Sequence, residues 1–300
     1  MNYKQITRRD FISAISAASL TVLALPACAT AEAPAGLKYA FVCSGNGGVW
    51  RLTRDGKRKQ LAKARKVNDL SVLANGNVLY ADRDFGVREV DRDGKVVLEI
   101  KIVGEVHGAA RLADGTTAIG QCGARKILRF DTKGKQLGKA LDIQSATKNA
   151  HRHMRNFRVL KNGNYLVCHE GDSRVREYDP AGKIVLDLKT PTPFCALRLK
   201  NGGTLVSGGP GKVKITEFDK KGKIAWQLKK NDLKGIRMGY AAGLQLLPSG
   251  NIVLCNHSHG KGLLPLLEIS RDKKLVWSLD DKEMKEVSSC HFYEIKGVIR

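Results

Sequence analysis

The chain has 300 residues, and 52 Lys or Arg against 29 Asp or Glu give it a formal charge of +23. Its hydrophobic share of 42% is too high for a disordered basic tail. Its sequence has no clean run of 18 apolar residues that would indicate a multi-span membrane protein. Seven scattered cysteines are too few for a small fold built on disulfides. The length fits one large domain or two ordinary ones.

The first 31 residues have the features of an export signal. Arg8 and Arg9 stand before Phe11, and an apolar stretch rich in Ala, Ser and Leu follows at 15–25. This order resembles the twin-arginine signal pattern Ser/Thr-Arg-Arg-x-Phe-Leu, with Ile12 in place of Leu. The resemblance implies that residues 1–31 are a cleaved signal peptide. Most of the positive charge lies outside this segment and therefore belongs to the folded protein.

The end of this signal can be interpreted in two ways. Small residues form Ala-x-Ala cleavage sites at 27–29 and 29–31. The run Leu25-Pro26-Ala27-Cys28 resembles a bacterial lipobox, which implies a lipid on Cys28, although Pro26 is unusual at its position and favours simple cleavage. Either way, we expect a protein exported by the twin-arginine route, which is periplasmic or anchored to the membrane as a lipoprotein.

Two kinds of glycine turn alternate along the rest of the chain. The first, Leu-x-Asn/Asp/Ser-Gly, has glycines spaced 39, 48, 39 and 48 residues apart: Gly76, Gly115, Gly163, Gly202 and Gly250. The second places Gly before Lys at Gly56, Gly94, Gly134, Gly182 and Gly222. Asn-Gly and Asp-Gly supply the positive φ that tight hairpins need, and the β-branched flanks are typical of short strands.

Each period therefore holds four strands, a to d, which is the pattern of a β-propeller blade. Residues 34–300 have room for about six blades. The chain enters at a strand b (38–43) and ends on an unpaired strand a (290–295). We therefore predict an all-β, six-bladed propeller of four-stranded antiparallel blades, a single domain in which the two terminal strands close the last blade. A solenoid or two β-sandwiches would not explain the complementary missing strands.

The repeats resemble a known group of propellers. Strand ends such as Glu89-Val-Asp91 and Glu177-Tyr-Asp179, together with Gly-Lys-x-x-Trp at 222–226, resemble pyrroloquinoline-quinone-like propeller repeats. They are also similar to arylsulfotransferase-type propellers and, more distantly, to gluconolactonase-type ones. The resemblance covers nearly the whole chain after the signal, but it consists of scaffold residues. It implies the fold strongly and the function weakly.

The predicted topology sorts the polar residues onto one face. The glycine turns share the bottom face, and the b–c and d–a loops share the other, which we call the top face. All seven histidines and the six cysteines after the signal map to the top face. This segregation marks the top face as the candidate functional face.

Hairpin register predicts that polar residues lie opposite one another: Asp69 with Asp82, His107 with Cys122, and Asn156 with His169. Opposed carboxylates repel unless a cation or proton separates them. Asp69 and Asp82 are therefore candidate ligands for a divalent metal ion. The alternative is a hydrated channel in which Arg83 neutralises the pair.

A polar funnel is expected around the ring axis. Its candidate ligand-binding residues are Asn156, Gln121, Asn256, His257 and His291. An arylsulfotransferase-like reaction would need a histidine nucleophile with arginine partners, so His107 and His169, together with Arg155, are the candidate catalytic residues.

Two functions from different classes follow, and the sequence leaves open whether the protein is an enzyme. The first is an exported propeller that binds a small or anionic ligand in the funnel. The second is a metal-dependent hydrolase or lyase of the lactonase type, or an arylsulfotransferase-like enzyme. A scaffold that binds other proteins is a third interpretation.

No cofactor is indicated beyond a candidate divalent ion. A quinone is disfavoured because Trp50, Trp226 and Trp277 fall on outer strands rather than forming an aromatic floor.

The charge suggests further partners. The Gly-Lys turns form a ring of lysines on the bottom face, suited to an anionic membrane surface or a cell-surface polyanion. Export argues against nucleic acid as a partner, and we expect a monomer.

Cys43 and Cys290 fall on adjacent strands, so a ring-closing disulfide and a metal–thiolate role both remain open.

Overall fold

The computed structural model describes residues 36–257, 263–281 and 284–300. The predicted signal peptide, including Cys28, lies outside these residues, as does His259. The described chain folds into six antiparallel sheets of four strands each. This confirms the predicted all-β, six-bladed propeller.

The first three blades each have their innermost strand named first. Blade 1 is formed by β24 (Cys290–His291), β1 (Phe41–Gly45), β2 (Gly48–Leu52) and β3 (Arg58–Lys63). Blade 2 is formed by β4 (Val67–Val72), β5 (Val78–Asp82), β6 (Gly86–Val90) and β7 (Val96–Lys101). Blade 3 is formed by β8 (Val106–Arg111), β9 (Thr117–Gln121), β10 (Lys126–Phe130) and β11 (Gln136–Asp142).

The other three blades follow the same order. Blade 4 is formed by β12 (Phe157–Val159), β13 (Tyr165–His169), β14 (Arg174–Tyr178) and β15 (Ile184–Lys189). Blade 5 is formed by β16 (Pro193–Arg198), β17 (Thr204–Gly208), β18 (Val213–Phe218) and β19 (Ile224–Lys229). Blade 6 is formed by β20 (Tyr240–Leu246), β21 (Ile252–His257), β22 (Leu266–Ile269) and β23 (Leu275–Leu279).

The glycine turns have the backbone conformation that the sequence predicts. Gly76 in the first kind of turn has φ +85°, and Gly94 in the second has φ +93°. A Cβ on Gly94 would lie 2.5 Å from the carbonyl oxygen of Leu61 in the neighbouring blade. Glycine is therefore needed there for its dihedral angle and for the close approach of two blades.

The innermost strands contact one another in sequence around the ring: β24 with β4, then β4 with β8, β8 with β12, β12 with β16, β16 with β20, and β20 with β24. The ring closes because β24 pairs with β1, with Cys43 opposite Cys290. Closure by the two terminal strands was predicted. The final strand is shorter than expected, since only Cys290 and His291 pair.

The core lies between blades, where the second strands are almost entirely buried. All five residues of β5 and of β13 are buried, whereas the outermost strands, such as β7, are mostly exposed. Trp277 packs edge-on against Tyr39, with 5.4 Å between ring centroids, so aromatic packing joins blades 6 and 1. The one helical element in the described residues is a three-residue 3-10 helix, Ala150–Arg152. The described residues therefore contain no helix that is long and apolar enough to cross a membrane.

Candidate functional site

Innermost strands of four blades carry a β-bulge toward the top face, and these bulges change the predicted register. In β4 the pairing shifts between Val67 and Asp69, so Val67 lies opposite Asp82 and Asp69 lies opposite Ala81. The predicted direct opposition of Asp69 and Asp82 is therefore wrong. A bulge inserts one residue on one strand only, which displaces every later partner by one position.

The two carboxylates have separate arginine partners. Asp69 is 2% exposed and accepts hydrogen bonds from Arg158 Nη1 and Nη2 at 3.0 and 3.3 Å. Asp82 accepts one from Arg88 Nη1 at 2.8 Å. The expected neutralisation by Arg83 is thus replaced by Arg158 and Arg88. Burial raises the pKa of Asp82, although Arg88 opposes the shift. The electrostatic reason for a shared metal ion between these two acids is absent.

The other two predicted oppositions are also off by one residue. The register of β8 shifts between Val106 and Gly108, so His107 occupies the bulge and has no direct partner in β9. At the start of blade 4, the amide of Cys168 donates to the carbonyl oxygen of Asn156, so His169 does not lie opposite Asn156.

A cavity of about 310 Å³ opens on the top face, and we call it the top-face cavity. Loops at 45–48 and 286–288 and the first residues of three inner strands, β4, β16 and β20, surround it. Its polar lining includes Arg65, Lys66, Asn68, Arg83, His151, Arg155, Tyr240, His257, Glu286 and Ser288.

Cationic side chains outnumber carboxylates in the lining of this cavity. Arg65, Lys66, Arg83 and Arg155 line it together with one carboxylate, that of Glu286. The side chains of Arg83 and Arg155 are only 17% and 14% exposed, so their charges are screened less than surface charges. This excess of cations suits an anionic ligand.

One wall of the cavity is a connected network of polar groups. His151 Nδ1 lies 2.5 Å from Oε2 of Glu105, and Arg155 Nη1 lies 2.8 Å from His151 Nε2. Because a guanidinium can only donate, His151 Nε2 accepts, and the imidazole proton resides on Nδ1 facing Glu105. The nearby imidazoles of His107 and His151 lower the pKa of Glu105 to about 2. The wall therefore contains a neutral histidine held between a carboxylate and a guanidinium.

Glu170 continues this network. It accepts from Arg155 Nε at 2.5 Å and from the Tyr240 hydroxyl at 3.0 Å. Burial raises the pKa of Glu170 but Arg155 outweighs it, so the net shift is downward. Burial also raises the pKa of Tyr240, which keeps this phenol protonated. Arg155 is thus fixed in position by one carboxylate while its other end reaches His151.

The predicted catalytic residues are not brought together as a set. Arg155 lines the cavity, but His107 and His169 are fully buried and are not among the lining residues. His169 Nδ1 lies 2.7 Å from the His153 carbonyl oxygen and Nε2 lies 2.9 Å from the Tyr178 hydroxyl, so both ring nitrogens are occupied. Burial lowers the pKa of His169 to about 4.

Of the five predicted ligand-binding residues, His257 lines the cavity. The other four bond to nearby protein groups. Asn156 accepts from Arg158, and Gln121 donates to the Val103 carbonyl oxygen at 2.6 Å. Asn256 accepts from the Gly239 amide at 2.7 Å, and His291 Nδ1 accepts from the Val72 amide at 2.8 Å. Burial and then Arg300 lower the pKa of His291 to about 2.

Sequence reasoning did not select four residues of this polar network, Glu105, His151, Glu170 and Tyr240, of which His151 and Tyr240 line the cavity. His151 was among the histidines assigned to the top face, and it lies in the longer d–a connection that follows β11. The carboxylates gave no pattern of their own. Glu105 is two residues before His107, and Glu170 directly follows His169. Closeness in the chain to a predicted histidine was therefore the signal that could have identified them.

The six cysteines of the described chain are buried and have free thiols. Cys43 and Cys290 are paired across β1 and β24, as the strand assignment predicted. The sulfur nearest to Cys290 Sγ is that of Cys255, at 3.5 Å, while Cys43 Sγ contacts Met284 Sδ at 4.0 Å. The thiol cluster therefore joins blades 1 and 6.

Comparison with known proteins establishes the fold and no family. No family model matches the chain, and no curated protein matches it. A solved structure of a protein of unknown function from Bacteroides caccae is 26% identical, with a TM-score of 0.73, and the match covers 84% of this chain and 97% of that one.

Two further solved structures share the fold at lower identity. A streptogramin B lyase is 13% identical with a TM-score of 0.58, and the match covers 85% of this chain and 89% of the lyase. The WD40 β-propeller domain of Doa1 is also 13% identical, with a TM-score of 0.59, and the match covers 82% of this chain and 80% of that domain. At such identities the likeness concerns the fold alone. The chain is thus a six-bladed β-propeller similar in architecture to these proteins.

Proposed function

We propose that this protein is an exported β-propeller that binds a small anionic ligand in the top-face cavity. The observation that carries the proposal is the lining of that cavity by Arg65, Lys66, Arg83 and Arg155 with a single carboxylate. Guanidinium groups donate paired hydrogen bonds to carboxylate, phosphate or sulfate oxygens.

The arginines are also held in place before a ligand arrives. Arg83 Nε lies 3.1 Å from Oδ1 of Asp84, and Arg155 Nε lies 2.5 Å from Oε2 of Glu170. Side chains that are already ordered lose less entropy on binding. The volume of about 310 Å³ fits a small molecule rather than a polymer.

Export is part of this proposal and is supported by the order of Arg8, Arg9, Phe11 and the apolar stretch behind them. We place the protein in the periplasm or, with a lipid on Cys28, at the membrane. The Gly-Lys turns add an orientation, since the lysines in them are exposed: Lys57, Lys95, Lys135, Lys183 and Lys223. These lysines face an anionic surface in the proposal, with the cavity directed away from it.

Binding can be tested by thermal shift with a defined panel: inorganic phosphate, sulfate, citrate and acetate, each at constant ionic strength. We expect at least one multivalent anion to raise the Tm, and we expect Arg155→Gln to abolish the shift. Lys223→Gln is the matched control, because it removes one positive charge from the opposite face. An unchanged Tm with every anion contradicts the proposal.

A second candidate function is a lyase or hydrolase in which His151 moves a proton. It is favoured by the His151–Glu105 contact at 2.5 Å on the cavity wall, where the His151 side chain is 37% exposed. A ligand anion that attracts Arg155 would free His151 Nε2 to accept a proton. The same histidine replaces His107 and His169 as the nucleophile in the arylsulfotransferase-like alternative, because it lines the cavity whereas they are buried.

Catalysis is distinguished from binding by His151→Gln. If the protein is an enzyme of this kind, the variant retains anion binding and loses turnover of any substrate found among esters, lactones and sulfate esters. Turnover that persists in His151→Gln rejects this candidate and leaves the binding function untouched.

A further inference from the structure

A cluster of metal-type ligands lies behind the cavity wall. Glu105, His107 and Cys122 place one carboxylate oxygen, one imidazole nitrogen and one sulfur within 4.8 Å of one another. Among the residues that the structure describes, no other set of three His, Cys, Asp or Glu side chains meets this condition. The cluster comes from the bulge of β8 and from the residue that follows β9.

The surroundings of His107 are a second observation, independent of the cluster, that points to a bound ligand. Its side chain is fully buried, and Nδ1 lies 2.8 Å from the Met154 carbonyl oxygen. That contact fixes the proton on Nδ1 and leaves a lone pair on Nε2. Nε2 is buried without a hydrogen-bond partner, and the nearest carboxylate oxygen, Glu105 Oε2, is 3.4 Å away. Buried polar atoms are normally satisfied, so this nitrogen requires an explanation.

We propose that Glu105, His107 and Cys122 bind one divalent transition-metal ion of the zinc class. Imidazole, thiolate and carboxylate are the ligands that zinc takes in proteins, and a metal-bound histidine usually donates its other N–H to a carbonyl or carboxylate. Three protein ligands leave a fourth position open, as in catalytic zinc sites. His151 Nδ1 lies 2.5 Å from Glu105 Oε2, and His151 also lines the cavity, so it connects the cluster to the cavity.

The charges of the cluster balance when the ion is bound. Cys122 Sγ lies 3.1 Å from the carbonyl oxygens of Ala150 and of Met154, which share its single S–H. That proton passes to solvent when the thiolate binds the metal. Two negative ligands then neutralise the divalent ion. Arg83 and Arg155 stay paired with Asp84 and Glu170, although Arg83 then shares Glu105, 3.6 Å away, with the metal.

This site differs from the one predicted at Asp69 and Asp82, where each acid already has an arginine. It also goes beyond the proposed ligand function and does not rest on it, because anion binding to Arg83 and Arg155 needs no metal. A bound metal would add an electrophile at the cavity wall.

The test is titration of the full-length protein, stripped with chelator, with Co²⁺ under reducing conditions. We expect one equivalent of Co²⁺ to give a thiolate-to-metal absorption band in the near ultraviolet, which Zn²⁺ then displaces. Cys122→Ser should lose the band and at least about ten-fold in Zn²⁺ affinity. Cys168→Ser is the matched control, since Cys168 is equally buried at the top of β13 in the next blade.

Glu105→Gln provides a second variant in case Cys122→Ser fails to fold, because the Glu105 side chain is 34% exposed. It should keep the Tm of the metal-free protein and weaken Zn²⁺ binding. The proposal is overturned if Co²⁺ produces no thiolate band in the wild-type protein. It is also overturned if Cys168→Ser removes the band, or if Glu105→Gln binds Zn²⁺ with wild-type affinity.

Discussion

Asp69 and Glu105 are both carboxylates near the top of inner strands, yet their surroundings differ. Asp69 is 2% exposed and accepts two hydrogen bonds from one guanidinium, that of Arg158. Glu105 is a third exposed and is shared among Arg83, His107 and His151. A closed pair of fixed charges stabilises a fold, whereas a carboxylate shared among several partners can exchange them. We therefore expect Asp69 to act mainly in stability and Glu105 to take part in the proposed functions.

The largest expected effect concerns the closed pair. Asp69→Ala leaves the Arg158 guanidinium buried without its carboxylate and should lower the free energy of unfolding by about 3–5 kcal/mol. Equilibrium unfolding in urea measures this loss. Glu105→Gln is the comparison variant and should change stability by less than about 1 kcal/mol. Equal losses in the two variants would erase the distinction between the acids.

The buried histidine His169 makes the stability of the fold depend on pH. His169 titrates at about 4 in the folded protein because it is buried, with Arg176 adding to the shift and Asp172 opposing it. Unfolded, it titrates near its ordinary value of 6.5. As the pH falls from about 6.5 to 4, His169 takes up a proton in the unfolded chain but not in the folded protein. The free energy of unfolding therefore decreases over this range and is lower by about 3 kcal/mol at pH 4.

The measurement is urea unfolding at several values between pH 7.5 and pH 4. His169→Gln should be less stable at pH 7 and should show a shallower decline toward pH 4, since the titrating group is gone. A decline as steep as that of the wild type would mean that other groups, such as His291, account for the acid sensitivity.

The smallest effect concerns ligand affinity. Glu105→Gln removes a negative charge near the cavity and should tighten binding of a multivalent anion by about three-fold. Asp69→Asn, which keeps the shape of the structural acid, should leave that affinity unchanged at temperatures where the variant is folded. Calorimetric titration with citrate compares the two. Tighter binding in Asp69→Asn alone would reverse the assignment of roles.

The fold was predictable because its determinants are local. Glycine at positions such as Gly76 and Gly94 specifies a turn whatever the rest of the chain does, and the period of these turns counts the blades. The bulges were not predictable in the same way. The shift at Val67 and Asp69 arises where inner strands crowd and twist at the top of the ring, and no residue type marks it. One extra residue was enough to separate Asp69 from Asp82.

The site was only partly predictable for the same reason. Arg155 was identified in a top-face loop and His257 at the top end of β21, positions that the alternation of strands assigns without exact register. The contacts of Glu105 with His107 and His151 depend on a bulge in β8 and on how a longer connection folds back over the ring. Such contacts between blades leave no periodic signal in the sequence.

The central claim is that the top-face cavity binds an anion through its arginines. Equilibrium dialysis with radiolabelled inorganic phosphate tests it most directly, using the wild type, the double variant Arg83→Gln/Arg155→Gln and the bottom-face control Lys223→Gln. Each lost hydrogen bond to a charged group is worth about 1.5–3 kcal/mol, so the double variant should bind at least about 100-fold more weakly. Lys223→Gln should bind as the wild type does. No saturable phosphate binding by the wild type, or equal losses in both variants, would contradict the account.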